Sequence, residues 1–492
     1  MLVFRPLLLL ALVFAVSSPV ALAADSERPP NILFCIADDW GWPHAGAYGD
    51  VVVKTPVFDG LARQGVLFEH AYISSPSCTP SRGAILTGQF HWRLGGAANL
   101  WSVFPDRLDT YPEILAKAGY IVGKTGKAWG PGRPETKNRD LTGKNYKNFA
   151  TFIKQLDPAK PFCFWLGSSD PHRPYKAGSG KQSGMKIKEV ELPACYPDSD
   201  VIRSDIADYY FEVQRFDSLV GEALKQLAKI GASENTIVVM TGDHGFPFPR
   251  GKSNLYDLGS RVPMVVRWPA KISAERVVTD FVSTTDLAPT FLEAAGLPVD
   301  KEMTGRSLVS VLSSDAEGRV SKDRDAIVFG KERHVPGQLA PETGGYPSRA
   351  IRTNEFLLIR NFHPERWPNG TPDYRQAVIP NAWFADTDNG PTKSYIVNYQ
   401  DRDEQHRLSY ELCFGMRPEI EFYDLRTDAE QLNNVASLPQ YKAKIKDLSS
   451  RLETVLRESN DPRLLNKGVT EDGINFDDYP YLGGAPKFPR VK

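Results

Sequence analysis

Asn31-Ile32-Leu33-Phe34-Cys35-Ile36-Ala37-Asp38-Asp39 is a continuous apolar run that stops abruptly at two acids. A run without polar alternation reads as a strand buried on both faces, the pattern of a parallel sheet. The same order recurs downstream. A helix-like stretch at 56–64 precedes a short strand at 66–70, and an amphipathic one at 110–118 precedes a strand beginning Ile121-Val122. A strand at 161–166 runs into Ser169-Asp170-Pro171-His172. The longest helical pattern, 204–230, is followed by a strand at 235–240 that runs into Thr241-Gly242-Asp243-His244-Gly245, and another strand follows at 262–268. Strands alternating with helices predict an α/β fold around a large, mostly parallel sheet. Such sheets bind ligands beyond the carboxyl ends of their strands. The polar clusters fall at those ends, so they are expected to share one site.

After about Val320 the texture changes. Short strands at 326–329, 349–352, 356–360 and 421–425 predict a small antiparallel sheet, with a loop-rich stretch at 361–403 and a terminal helix at 439–459. At 492 residues the chain is too long for one compact core. The expected division is a leader at 1–23, a catalytic domain at 24–320 and a subdomain at 321–492 that completes the pocket.

Cys78-Thr79-Pro80-Ser81-Arg82 carries the chemistry. Proline suits the first turn of a helix, so residue 78 sits at or just before a helix N-terminus. Unpaired N–H groups and the positive dipole end favour an anion there. Arg82 adds a planar fork suited to a tetrahedral oxyanion. Adjacent side chains on a strand face opposite ways, so Asp38 and Asp39 reach one cation only if the chain is already turning, and Gly41 fits that. Asp243-His244-Gly245 repeats the arrangement at a second strand end. Carboxylates gathered at one point repel without a cation, and an oxygen-rich set suits Ca²⁺ or Mg²⁺. The other reading of these acids is as turn or cap residues.

The Cys-x-Pro-Ser-Arg run, followed by a small-residue helix ending Thr87-Gly88, resembles the signature of the type I sulfatases. The resemblance implies an alkaline-phosphatase-like fold. It implies oxidation of Cys78 to formylglycine (3-oxoalanine) by a formylglycine-generating or anaerobic sulfatase-maturating enzyme, the hydrated aldehyde being the nucleophile. It assigns Asp38, Asp39, residue 78, Asp243 and His244 to one Ca²⁺-like ion, although histidine is the less typical ligand for a hard cation. Gly126-Lys127 resembles the element whose lysine contacts sulfate, with Lys124 as a competing register. Trp129-Gly130 stands where family members usually carry a histidine. Pro171-His172-Arg173-Pro174 matches the motif that supplies the leaving-group acid, and Lys252 the second sulfate-contacting lysine. Arg82, Lys127 and Lys252 are then expected to meet charge on the sulfuryl oxygens.

Gly245 to Tyr256 looks like the corresponding part of the heparan N-sulfatases, as do Phe329-Gly330, Tyr346-Pro347-Ser348-Arg349 and Phe356 to Ile359. The implied substrate is a glucosamine sulfamate at a chain end of heparin or heparan, with His334 and Arg349 as candidate sugar-binding residues. The alternatives are an O-sulfatase acting on another sulfated polysaccharide, a related phosphomonoester or phosphonate hydrolase, and a non-catalytic glycan-binding module whose Cys78 stays a thiol.

Lys and Arg total 59 against 60 Asp and Glu, so no bulk basic field exists to collect nucleic acid. Arg5, the apolar run from Leu7 to Val16 and the Ala21-Leu22-Ala23 cleavage pattern read as a signal peptide. Export to a periplasmic, extracellular or lysosome-like compartment is expected, with no integral membrane span in the mature chain. Of the remaining cysteines, Cys35 and Cys163 read as buried thiols. Cys195 and Cys413 lie in polar surroundings and could pair.

Overall fold

The computed structural model describes residues 28–485. The signal-peptide reading lies outside them. The first ten strands are β1 (Asn31–Ala37), β2 (Val66–Tyr72), β3 (Ser102–Phe104), β4 (Ile121–Thr125), β5 (Gly132–Pro134), β6 (Lys144–Asn145), β7 (Phe162–Gly167), β8 (Thr236–Gly242), β9 (Met264–Arg267) and β10 (Arg276–Ser283). Eight of them form one sheet in the order β10-β2-β9-β8-β1-β7-β4-β6, while β3 and β5 pair separately. Only β9 runs antiparallel to its neighbours in that sheet. A parallel crossover needs a long connection, usually a helix. Between β8 and β9 the chain has only the short helix Asp257–Ser260.

β1 sits inside the sheet, paired in parallel with β7 and β8. Its side chains alternate between two cores. Leu33, Cys35 and Ala37 pack on the layer holding the long helix Asp200–Lys229, and Ile32, Phe34 and Ile36 pack on the opposite layer. That double burial explains why the run is apolar throughout. The helix Tyr111–Lys117 begins with a reciprocal cap between Thr110 and Glu113, which satisfies two orphan N–H groups.

The second sheet is antiparallel, in the order β11 (Ala326–Lys331), β12 (Ser348–Thr353), β13 (Phe356–Asn361) and β14 (Ile420–Asp424). The helix Lys442–Glu458 covers it through Leu448, Leu452 and Leu456. The loop-rich stretch contains a helix the sequence reading passed over, Pro391–Asn398. Cys195 and Cys413 are not in polar surroundings. Both are buried thiols in the first core, beside one another. Among the described residues, no helix is long and apolar enough to cross a membrane.

A buried histidine and a half-buried one give the fold a pH dependence. Burial pushes His44 down to about 4 against the pull of Asp50. Burial, helped by Arg261, does the same to His70, which stacks on Phe281 at 4.4 Å. An unfolded histidine takes up its proton near 6.5, the folded pair only near 4. Stability is therefore full above 6.5 and drains away between 6.5 and about 4. Urea midpoints should be lower at about pH 5 than at about pH 7.5. His70→Phe, which keeps a ring on Phe281, should flatten that difference; an unchanged difference would assign the effect to other groups.

Candidate active site

The strands β1, β7 and β8 end at one level, with Ile36 opposite Gly167 and Ala37 opposite Gly242. The loops leaving them therefore emerge side by side. Asp39 adopts a left-handed backbone, φ 71°, so the chain has left the strand and both acids turn to the same side. Gly126 also lies at positive φ, and a β-carbon there would sit 2.1 Å from the Gly167 carbonyl oxygen. Only glycine lets the β4 and β7 loops pass this closely, and that passage carries Lys127 to the site.

The helix Cys78–Thr87 points its N-terminus at these loops. Cys78 Sγ lies 3.3 Å from His244 Nε2 and 3.5 Å from Asp38 Oδ1. Ligand atoms of Asp38, Cys78, Asp243 and His244 all fall within 4.8 Å of one another. Asp39 completes the ring, with Oδ1 3.0 Å from His244 Nε2, and that buried oxygen has no hydrogen-bond partner. An orphaned carboxylate oxygen among other buried acids fits a divalent cation.

Cations face the ring. Lys127 Nζ is 2.5 Å from Asp38 Oδ1, and Lys124 lines the same cavity. Lys252 Nζ is 3.0 Å from Asp39 Oδ2. Burial raises the Asp38 carboxyl, but Lys127, His172, Arg82 and Lys252 outweigh it and hold the group well below the carboxylate range. Burial pushes the Cys78 thiol well above its ordinary value, so unmodified it stays protonated and poorly nucleophilic.

These groups open on a cavity of about 930 Å³. Its walls include Asp38, Cys78, Lys124, Lys127, His172, Lys252 and His334, with Trp101 and Trp383 at the sides. His172 Nε2 is 3.9 Å from Asp39 Oδ2, and its Nδ1 is fixed on the Arg173 carbonyl at 2.6 Å. His334 is held by Ser77 Oγ at 2.8 Å. Trp129 lines the wall in place of the usual histidine and donates to the Thr79 carbonyl at 3.1 Å.

Two expectations change. Arg82 does not line the cavity. It is fully buried, and its fork is engaged by protein: Nε on Asp243 Oδ2 at 2.7 Å, one amino group on the Lys127 and Ala128 carbonyls, the other on the Ala37 carbonyl. These contacts tie the loops to the helix. Arg349 is likewise fully buried, clasped between Asp461 and Glu332, and stands away from the cavity wall. Its strand position turns it into the interior, where protein carboxylates occupy its fork.

The sequence reading missed Asp388, which lines the cavity and meets Lys252 at 3.1 Å. Burial raises its carboxyl, but Lys252, His172 and His334 hold it below the usual range. Lys393, whose ammonium burial pushes down to about 7, fixes the same loop. Neither had a signal, since both lie in a stretch without periodicity.

A family model described as Sulfatase matches residues 30–297, and one described as N-sulphoglucosamine sulphohydrolase, C-terminal, matches 242–367. Similar proteins include the human N-sulphoglucosamine sulphohydrolase, 28% identical with 91% of this chain and 94% of that one aligned. An ulvan-active sulfatase of Formosa agariphila is 26% identical over 88% of this chain and 76% of its own. A solved structure described as a complex with D-glucosamine-2-N,6-O-disulfate superposes with TM-score 0.63 at 20% identity, covering 88% of this chain and 99% of that one.

Replacing Arg82 tests the part the geometry gives it. Arg82→Ala leaves two buried carboxylates short of a partner and should cost about 3–5 kcal/mol of stability. Arg82→Lys keeps the charge but loses the fork, and should fall between. Unfolding curves unchanged in both variants would return Arg82 to the substrate.

Proposed function

The chain belongs to the sulfatase family, and on that premise we propose that it is a formylglycine-dependent, divalent-cation-dependent hydrolase removing N-sulfate from glucosamine at chain ends of heparin- or heparan-like glycans. The observation that carries this reading is the meeting of Cys78 with Asp38, Asp39, Asp243 and His244 opposite two lysines. When present, a Ca²⁺ or Mg²⁺ ion and the aldehyde hydrate derived from Cys78 supply charge neutralisation and the attacking hydroxyl.

The chain's own residues do the rest. Lys127 and Lys252 bind the sulfuryl oxygens and hold the group in line. The low-dielectric pocket strengthens both contacts. His172, with its ring orientation set by the Arg173 carbonyl, delivers a proton to the leaving nitrogen. His334, on the far wall, faces the sugar. Residues 321–492 act as the subdomain that completes this wall. The protein meets its substrate after export and after a maturating enzyme has acted on Cys78. Similarity to the human sulphohydrolase over 91% of this chain, and the second family model, support the N-sulfate assignment. Comparable similarity to an ulvan-active sulfatase supports the second reading, an O-sulfatase on another polysaccharide.

Enzyme from the native host should release sulfate from heparin disaccharides bearing a terminal N-sulfoglucosamine. Cys78→Ala should lower that rate by about a thousandfold or more. Release from O-sulfated sugars alone would replace this reading with the second. Calcium at about one hundred times its Kd should stabilise the protein by about 2.7 kcal/mol. Asp243→Ala should abolish that increment in a thermal-melt titration. A wild-type melt unmoved by calcium and magnesium would remove the cation from the proposal.

A further inference from the structure

Beyond Lys252, on the side away from the metal ring, the cavity wall carries a carboxylate that sulfuryl binding does not call for. Lys252 Nζ stands between Asp39 Oδ2 at 3.0 Å and Asp388 Oδ2 at 3.1 Å. The Asp39 side chain is fully covered, whereas that of Asp388 is 22% exposed and faces the cavity. A carboxylate on the wall of an anion site repels the anion. It becomes favourable where the ligand also offers a cation or a strong donor.

The loop bearing Asp388 is fastened from three sides. Lys393 Nζ donates to the carbonyls of Trp383, Phe384 and Thr387 at 2.8, 2.9 and 2.7 Å. Asp386 accepts from Lys331 Nζ and from the Val335 N–H, both at 2.9 Å, which ties the loop to the segment carrying His334. Thr392 bonds to Asp205, the partner of Arg173. Asp388 is thus aimed by a rigid support, as a recognition group requires.

We propose that Asp388 is a specificity-determining residue that reads an amino nitrogen at the scissile position. It accepts a hydrogen bond from the N–H of a sulfamate and then faces the ammonium of the freed amino sugar. The inference rests on the N-sulfoglucosamine reading above. Over the whole hydrolysis one water is consumed: its oxygen replaces nitrogen on sulfur, and the S–N bond breaks with its electron pair on nitrogen. Both protons of that water end on the nitrogen, so the sulfamate anion and one water become the ammonium and the sulfate dianion. An O-sulfate ester releases a neutral hydroxyl instead, which gains little from a carboxylate beside it.

The test is binding, not turnover. Calorimetric titrations of the calcium-supplemented wild-type protein with glucosamine, glucose and N-acetylglucosamine should show glucosamine bound about tenfold or more tighter than the other two. Asp388→Asn should bring the three within about twofold, and Asp388→Glu should keep part of the preference. Inorganic sulfate should bind Asp388→Asn as well as wild type or better. Equal binding of the three sugars by wild type would overturn the proposal. So would an Asp388→Asn protein that keeps the preference, or one that loses sulfate affinity while the sugar ratio stays put, since Asp388 would then only position Lys252. A chain that prefers glucosamine but leaves heparan N-sulfate uncut would sink the function proposed above and leave this inference standing. Cleavage without the preference would do the reverse.

Discussion

The site depends on one buried guanidinium. Arg82 reaches back from the helix Cys78–Thr87 to the ends of β1 and β8 and the loop after β4, three separate stretches of chain. Without it, Asp243 and Asp38 would be acids in a dry interior with one fewer counter-charge. With it, the helix that starts at Cys78 and the loops carrying Asp38 and Asp243 are fixed relative to one another. Fork geometry matters here, because one point charge could not satisfy a carboxylate and several carbonyls at once.

Charge across the pocket is layered. Acids lie deepest, lysines come next, and a second acid stands outermost. The inner acids and lysines suit a cation and an anion held face to face, while the outer acid suits whatever the anion is attached to. The layers come from distant parts of the chain. The inner ones leave the strands of the large sheet, and the outer one sits on a loop anchored to the small sheet through Lys331.

Much of this was legible before the fold was known, for a physical reason. A strand buried on both faces must be apolar, so Asp38 and Asp243 stand out as abrupt endings. Register was legible only in outline. The antiparallel β9 follows from a short connection whose geometry its residues do not announce. Arg82 was identified but its direction was not, because a guanidinium that binds a ligand and one that binds carbonyls look alike in sequence. Arg349 misled for the same reason. Its partners, Glu332 and Asp461, lie 17 and 112 residues away. Asp388 lay hidden among the other acids of a loop, where only Lys393 and Asp386, seen folded, explain its aim.

Residue 78 is 2% exposed once the chain has closed around it. Leu100 and Val335 pack against it, the second from the far half of the molecule. In the finished protein that sulfur is met only at the floor of the cavity, where a second folded enzyme fits poorly. Under the proposed function the order of events during biogenesis follows: the thiol is converted while the polypeptide is still open, and a molecule that collapses first is locked into an inert form however well it is folded.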